Sequence, residues 1–95
     1  MSIPTEVEVS TASVTLAVEK NKNYILNNAD ITDITISSCE NVYQETTIQF
    51  TTGATAPTFT DSSGITWVDG SAPIPQANMN YLILIWNKKG FVREY

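Results

Sequence analysis

The sequence predicts an all-β protein, an antiparallel β-sandwich or flattened barrel of about seven to nine short strands. The first reason is composition, because 30 of the 95 residues are Thr, Ile or Val, whose β-branched side chains favour extended backbone. The second is that several segments alternate apolar and polar residues, as half-buried strands do. The third is that turn signals recur about every 8–12 residues without a helical period.

Alternation and turn residues place the strands along the chain. The predicted strands in chain order are 14–19, 24–26, 32–37, 46–52, 65–67, 80–87 and 91–95. Their inward-facing residues include Val14, Leu16, Val18, Ile34, Ile36, Ile48 and Phe50. Segment 46–52 alternates most cleanly, which is typical of an antiparallel strand with one face in the core and one in water. Residues 88–90 are predicted to turn the chain into a closing hairpin.

One β domain is predicted over residues 14–95, because a chain of 95 residues has the size of a single domain. We find no long linker and no internal repeat that would divide it. Residues 1–13 lack a clear core pattern before Val14. Within them, residues 6–9 alternate Glu and Val, which fits either a short strand or an extended segment. We therefore predict an N-terminal arm over residues 1–13 that could anchor the domain.

Segment 80–87 is apolar on both faces, unlike segment 46–52. One face carries Leu82, Leu84 and Trp86, and the other carries Tyr81, Ile83 and Ile85. The first face is assigned to the core. Two interpretations remain for the second: a loop of the same chain covers it, or it packs on another subunit, since obligate interfaces are apolar in this way. The second face is therefore the candidate subunit interface, and a homo-oligomer, either a trimer or a dimer, is expected.

Composition excludes several classes of function. The formal net charge of -5 argues against binding to nucleic acid or to an anionic membrane, since both need a basic face. The chain has no His and one Cys, so it lacks the commonest general base and zinc ligand and cannot close an internal disulfide. Cys39 has no basic neighbour in sequence that would activate it as a nucleophile. We therefore predict no enzymatic activity, no metal site and no cofactor.

Acidic and aromatic residues offer one candidate ligand site. Asp61 and Asp69 lack the spacing of a calcium loop and are interpreted as turn residues. Trp67 lies close to Asp69 in a turn-rich segment, and an exposed Trp can stack on a sugar while a carboxylate accepts hydrogen bonds from its hydroxyls. Trp67 and Asp69 are therefore the candidate glycan-stacking residues. The competing interpretation is that Trp67 packs in the core, where a small domain needs large aromatic side chains.

Three segments of the second half of the chain form a recognisable series. They are the Thr-rich strand with its small-residue linker over 46–59, the run Ser63-Gly64-Ile65-Thr66-Trp67, and the turn Asp69-Gly70-Ser71-Ala72-Pro73. A closing hairpin over 80–95 follows, and the short strands at 24–26 and 34–36 precede the series. Together these segments, about 70 residues, resemble a small β module of tailed-phage and prophage structural proteins.

The resemblance implies a non-enzymatic virion part, namely a head-fibre, decoration, tail-fibre or baseplate domain with no catalytic residues. Such a protein would act by self-assembly and by docking to capsid or tail subunits. It would be made in the host cytoplasm and end in the virion, since the start of the sequence lacks the features of a secretory signal. The alternative is a carbohydrate-binding β module, free or on a phage fibre, whose partner would be a host glycan.

Overall fold

The computed structural model describes residues 4–40 and 44–95, and the described chain is all-β. Its strands are β1 (Thr5–Val9), β2 (Ser13–Val18), β3 (Lys22–Leu26), β4 (Asp33–Cys39), β5 (Thr46–Thr51), β6 (Thr58–Asp61), β7 (Thr66–Trp67), β8 (Asn80–Trp86) and β9 (Lys89–Glu94). The prediction of an all-β fold is thus confirmed. Most predicted strands match these bounds within a few residues, but β6 lies in a segment that the sequence assigned to a linker.

The strands belong to two sheets that the chain visits alternately. The larger sheet has the order β1-β3-β5-β8-β9-β7, and the smaller sheet has the order β2-β4-β6. Each of β1 to β4 pairs in parallel with the strand two places further along the chain. Each coil therefore contributes one strand to each sheet before the next coil stacks on it.

This winding is that of a β-solenoid rather than of the antiparallel sandwich or flattened barrel that the sequence predicted. The larger sheet is mixed, because β8 pairs antiparallel with β5 and with β9. The error has a physical reason. Alternation along a strand reports that one face is buried, but it carries no information on the direction of the neighbouring strand.

The successive coils have unequal lengths, which conceals the repeat. In the larger sheet, Val9 pairs with Leu26 and Leu26 pairs with Phe50, so the chain advances by 17 residues (9 to 26) and then by 24 (26 to 50). In the smaller sheet, the pairs Val14 with Ile34 and Ile34 with Phe59 give 20 residues (14 to 34) and 25 (34 to 59). Without a fixed period, comparison of the sequence with itself shows no repeat.

A hairpin extends the larger sheet beyond the coils. β8 and β9 are joined by Asn87 and Lys88, which both have positive φ, 51° and 56°, as a two-residue type I′ turn requires. The turn thus lies slightly earlier than the predicted 88–90. Gly90 instead lies in β9, opposite Ile85.

The hydrophobic core lies between the two sheets. The predicted inward residues of β2, β4 and β5 are all buried. The buried apolar residues are Val14, Leu16, Val18, Tyr24, Leu26, Ile31, Ile34, Ile36, Ile48, Phe50, Ile65, Trp67, Tyr81, Ile83 and Ile85. Thr46 is also fully buried, and its hydroxyl donates to the Glu19 carbonyl at 2.7 Å, so its polar atom is satisfied.

Part of the predicted N-terminal arm lies in a sheet. Residues 1–3 fall outside the described chain, whereas Thr5–Val9 forms β1 at the edge of the larger sheet. The Asn27 backbone N–H donates to the Val9 carbonyl at 2.7 Å, and the Asn28 side chain donates to the Ser10 carbonyl at 3.0 Å. These contacts tie residues 5–10 to the coil that follows.

Candidate functional site

The two faces of β8 have the reverse of the roles that the sequence analysis gave them. Tyr81, Ile83 and Ile85, the candidate subunit interface, are 1%, 0% and 0% exposed and lie in the core of their own chain. The Tyr81 ring stacks on Phe50 at 5.1 Å, and its hydroxyl accepts the Gln76 backbone N–H at 2.7 Å. The prediction of a subunit interface at these three residues is therefore wrong.

Strand register explains the reversal. Phe50 lies opposite Tyr81 and Ile48 lies opposite Ile83, and side chains of directly paired residues point to the same face of a sheet. Because Ile48 and Phe50 point inward, their partners must do so as well. A shift by one residue would expose the whole set, and a strand that is apolar on both faces gives no signal to choose between the two registers.

The opposite face of the hairpin forms what we call the outer apolar patch, comprising Leu82, Leu84, Trp86 and Phe91. Trp86 and Phe91 are 41% and 40% exposed, and Leu82 and Leu84 are half-buried. Leu84 and Phe91 are direct cross-strand partners. A depression of about 400 Å³ lies between Leu82, Leu84, Phe91, Val92 and Arg93. Leu82, Leu84 and Trp86, assigned to the core from the sequence, thus face outward.

Apart from Ile25, the outer face of β1, β3 and β5 is polar, and side-chain hydrogen bonds order it. Next to β8, the Thr47 hydroxyl and the Gln49 amide both donate to Oδ1 of Asn23, at 2.7 and 3.2 Å. At the β1 edge, Nδ2 of Asn27 donates to Oε1 of Glu8 at 2.8 Å. The face therefore changes from carboxylates at β1, through amides, hydroxyls and the single apolar residue Ile25, to the outer apolar patch.

Trp67 does not offer a stacking surface for a sugar. It is 9% exposed, packs edge-on against Phe59 at 5.8 Å, and donates its indole N–H to Oδ2 of Asp61 at 3.1 Å. Asp69 is exposed and lines an open depression of about 460 Å³ to which Trp67 does not contribute. The structure thus contradicts the candidate glycan site and favours the core interpretation of Trp67.

Gly90 makes the packing of Trp67 possible. A Cβ atom at Gly90 would lie 2.5 Å from Cε3 and Cζ3 of the Trp67 ring. β7 pairs in parallel with β9, so that Trp67 lies beside Gly90. The short strand β7 therefore closes the edge of the larger sheet by laying its indole over a residue that has no side chain.

Asp61 organises the turn between β6 and β7. Its carboxylate accepts the Ser63 and Ile65 backbone N–H groups at 2.8 and 3.1 Å, as well as the Ser63 hydroxyl and the Trp67 indole. Burial raises the pKa of this carboxyl, but the hydrogen bonds from Ser63, Trp67 and Ile65 outweigh it and lower the pKa below its ordinary value. Asp61 thus has the turn role that the sequence indicated.

Other reactive groups form no site in the part of the chain that is described. Burial, the largest effect, raises the pKa of the Cys39 thiol, which disfavours the reactive thiolate. Among residues 4–40 and 44–95, no group of three or more His, Cys, Asp or Glu side chains could hold a metal ion. The same residues include no helix long and apolar enough to cross a bilayer.

Comparison of the chain with models of protein families, with curated proteins and with solved structures finds no match. The resemblance to phage and prophage modules therefore stays a prediction from residues 24–26, 34–36 and 46–95. The outer apolar patch is the candidate functional site that the geometry provides.

Proposed function

We propose that this chain is a non-enzymatic structural subunit of a virion that acts by assembling with copies of itself and by docking to capsid or tail subunits. The observation that carries the self-assembly is the outer apolar patch. Phe91 and Leu84 lie side by side on the outer face, in a chain whose inner face is already filled. Apolar side chains that lie together on the surface of a small domain support a contact with another protein.

The surrounding surface supports a contact of limited extent. The outward residues of β5 next to the patch, Thr47 and Gln49, are polar and half-buried, and Lys89 and Arg93 are exposed on its other side. An apolar centre with a polar rim is the usual composition of a specific protein interface. The formal charge of -5 disfavours loose association, so that a closed oligomer is expected.

The virion part of the proposal rests on the resemblance of the second half of the chain to phage modules. The anchoring role of residues 1–13 belongs to the same proposal. β1 is the edge strand of the larger sheet, and an edge strand can accept a strand from a neighbouring subunit.

Sedimentation equilibrium at high micromolar concentration tests the self-assembly. We expect the parent protein to exceed its chain mass of 10.5 kDa, and Leu84→Lys to shift it toward the monomer. Thr15→Lys is the matched control, since Thr15 is exposed on the outer face of the smaller sheet, and it should leave the mass unchanged. A monomeric parent protein contradicts the self-assembly.

The genes that flank the coding sequence test the virion assignment. Neighbours that encode capsid, portal or tail proteins are expected. A gene neighbourhood without any of these contradicts the assignment to a virion and leaves the self-assembly to be decided by sedimentation.

A further inference from the structure

We infer that the outer face of the larger sheet packs on a second copy of this chain around a two-fold axis that runs along β5. The inference deepens the proposed self-assembly and rests on it, because it names the partner and its orientation. It follows from the distribution of charge and apolar side chains over that face.

Strand register arranges the outward residues in rows across the sheet. One row runs from Glu8 through Ile25, Gln49 and Leu82 to Arg93. Neighbouring strands lie about 4.8 Å apart, so β1 and β9, four strands apart, are separated by about 19 Å. Glu8 and Arg93 mark opposite ends of the row and are too distant to pair within one chain.

A two-fold axis along β5 brings these ends together between two copies. The rotation keeps each residue at its height along the strands and reverses the order of the strands, so β1 lies over β9 of the second copy and β3 over β8. Glu8 then faces Arg93 of the second copy, and Ile25 faces Leu82. Gln49 lies near the axis and meets its own counterpart, and both amides can donate and accept hydrogen bonds.

The adjacent row runs from Glu6 through Asn23, Thr47 and Leu84 to Phe91. The rotation brings Thr47 to its own counterpart near the axis, Asn23 over Leu84 and Glu6 over Phe91. Leu84 and Phe91 of one copy are covered by β3 and β1 of the other. Both copies of Leu84 and Phe91 are thereby removed from water in the dimer, because every contact of a two-fold interface occurs twice.

Charge favours this axis over one that runs across the strands at the level of Glu6 and Glu8. Such an axis would place β1 over β1, and the exposed Glu6 and Glu8 would face the same carboxylates of the second copy. Like charges in contact are destabilising. Sheets that pack face to face keep their strands within about 30° of each other, which the axis along β5 allows.

A charge-reversal cycle tests the orientation by sedimentation velocity at low ionic strength. We expect Glu8→Arg and Arg93→Glu each to raise the dimer dissociation constant about tenfold or more, since each reversal affects two ion pairs in the dimer. The double variant restores both pairs in the opposite sense and should return the constant to near the parent value. Glu19→Arg makes the same change of charge at an exposed position after β2 and should have no such effect.

Thermal unfolding of each variant separates assembly from stability, because Glu8 also accepts a hydrogen bond from Asn27. The two-fold orientation is overturned if the parent protein self-associates but the dimer dissociation constant of the double variant is as high as those of the single variants. That result leaves self-assembly intact. A parent trimer has the same consequence. A parent protein that is monomeric overturns the orientation and the proposed self-assembly together.

Discussion

The smaller sheet and the β8–β9 hairpin bury their inner faces alike but differ in their outer faces. In β2, Val14, Leu16 and Val18 are buried, as are Tyr81, Ile83 and Ile85 in β8. Outward residues of the smaller sheet are small or polar, namely Ser13, Thr15, Ala17, Thr35, Ser37, Thr58 and Thr60. The outward residues of the hairpin include Leu82, Leu84 and Phe91.

The difference shows that two separate properties are encoded in one period-two pattern. The inner residues determine which faces meet in the core, and they need only be apolar. The outer residues determine whether a strand still presents an apolar face after the chain has folded. The outer face of the smaller sheet carries small or polar residues that suit contact with water, whereas the hairpin has a second apolar surface that a partner can use.

The largest expected effect comes from adjacent residues of β8. Ile83→Lys places an unpaired charge at a position that is 0% exposed, which costs several kcal/mol and approaches the whole stability of a small domain. Leu84→Lys lies on the outer face and should cost about 1 kcal/mol or less. Urea unfolding followed by circular dichroism measures both. A folded, cooperative Ile83→Lys variant contradicts the assignment of the two faces.

The next effect concerns how the hairpin is joined to the coils through Trp67. Gly90→Ala forces the indole and the new methyl group apart, and we expect a loss of about 1–3 kcal/mol, typical of overpacking in a core. In the background of Trp67→Leu the same change should cost less, because the ring that it meets is gone. Equal costs in the two backgrounds, measured by urea unfolding, would mean that the indole does not limit this position.

The smallest effect lies in the turn that leads from the coils toward the hairpin. At pH 7, Asp61→Asn should cost about 1–2 kcal/mol, because it replaces charge-assisted hydrogen bonds by weaker ones. The pKa of Asp61 is lowered in the folded protein, so its contribution is present above the unfolded value of about 3.9 and is lost as pH falls through the folded pKa.

Unfolding of the parent and the Asp61→Asn variant at a series of pH values measures this linkage. The difference in the free energy of unfolding should be constant near neutral pH and shrink below about pH 4. Asp69→Asn is the control, since Asp69 is exposed. A difference that persists undiminished to pH 2 would show that the ionised form of Asp61 does not matter for the turn.

The sequence predicts the all-β class and most of the core, because β-branched composition and alternation are local signals. It does not predict the parallel winding, since Ile34 alternates with its neighbours in the same way whichever direction β2 and β6 run. The inner face of β8 is missed for a related reason: only its pairing with Ile48 and Phe50 fixes it. Strand direction and register are long-range properties, and unequal coil lengths remove the repeat that would have revealed them.

The outer apolar patch was partly visible in the sequence. The surplus of apolar residues in segment 80–87 correctly indicated one face more than the core needs, but the face was exchanged. Core packing of Trp67 was one of the two interpretations that the sequence left open, and its burial depends on Gly90, which comes next to it only through the pairing of β7 with β9. A glycine inside a strand, where a hairpin turn was expected, is the signal that could have suggested a close neighbour.

The two-residue turn at Asn87 and Lys88 also has a consequence for the order of folding. A β-hairpin forms in about 1–10 μs, whereas pairing β3 with β5 must first close a loop of more than twenty residues, at a cost in entropy. The hairpin can therefore form while neither of its apolar faces is covered. Covering one face is a reaction within the chain, but covering the other depends on meeting a second molecule. Protein concentration thus acts on refolding in two ways. It favours assembly of the folded chain with its partner, and it also favours aggregation of partly folded chains through the same exposed apolar faces.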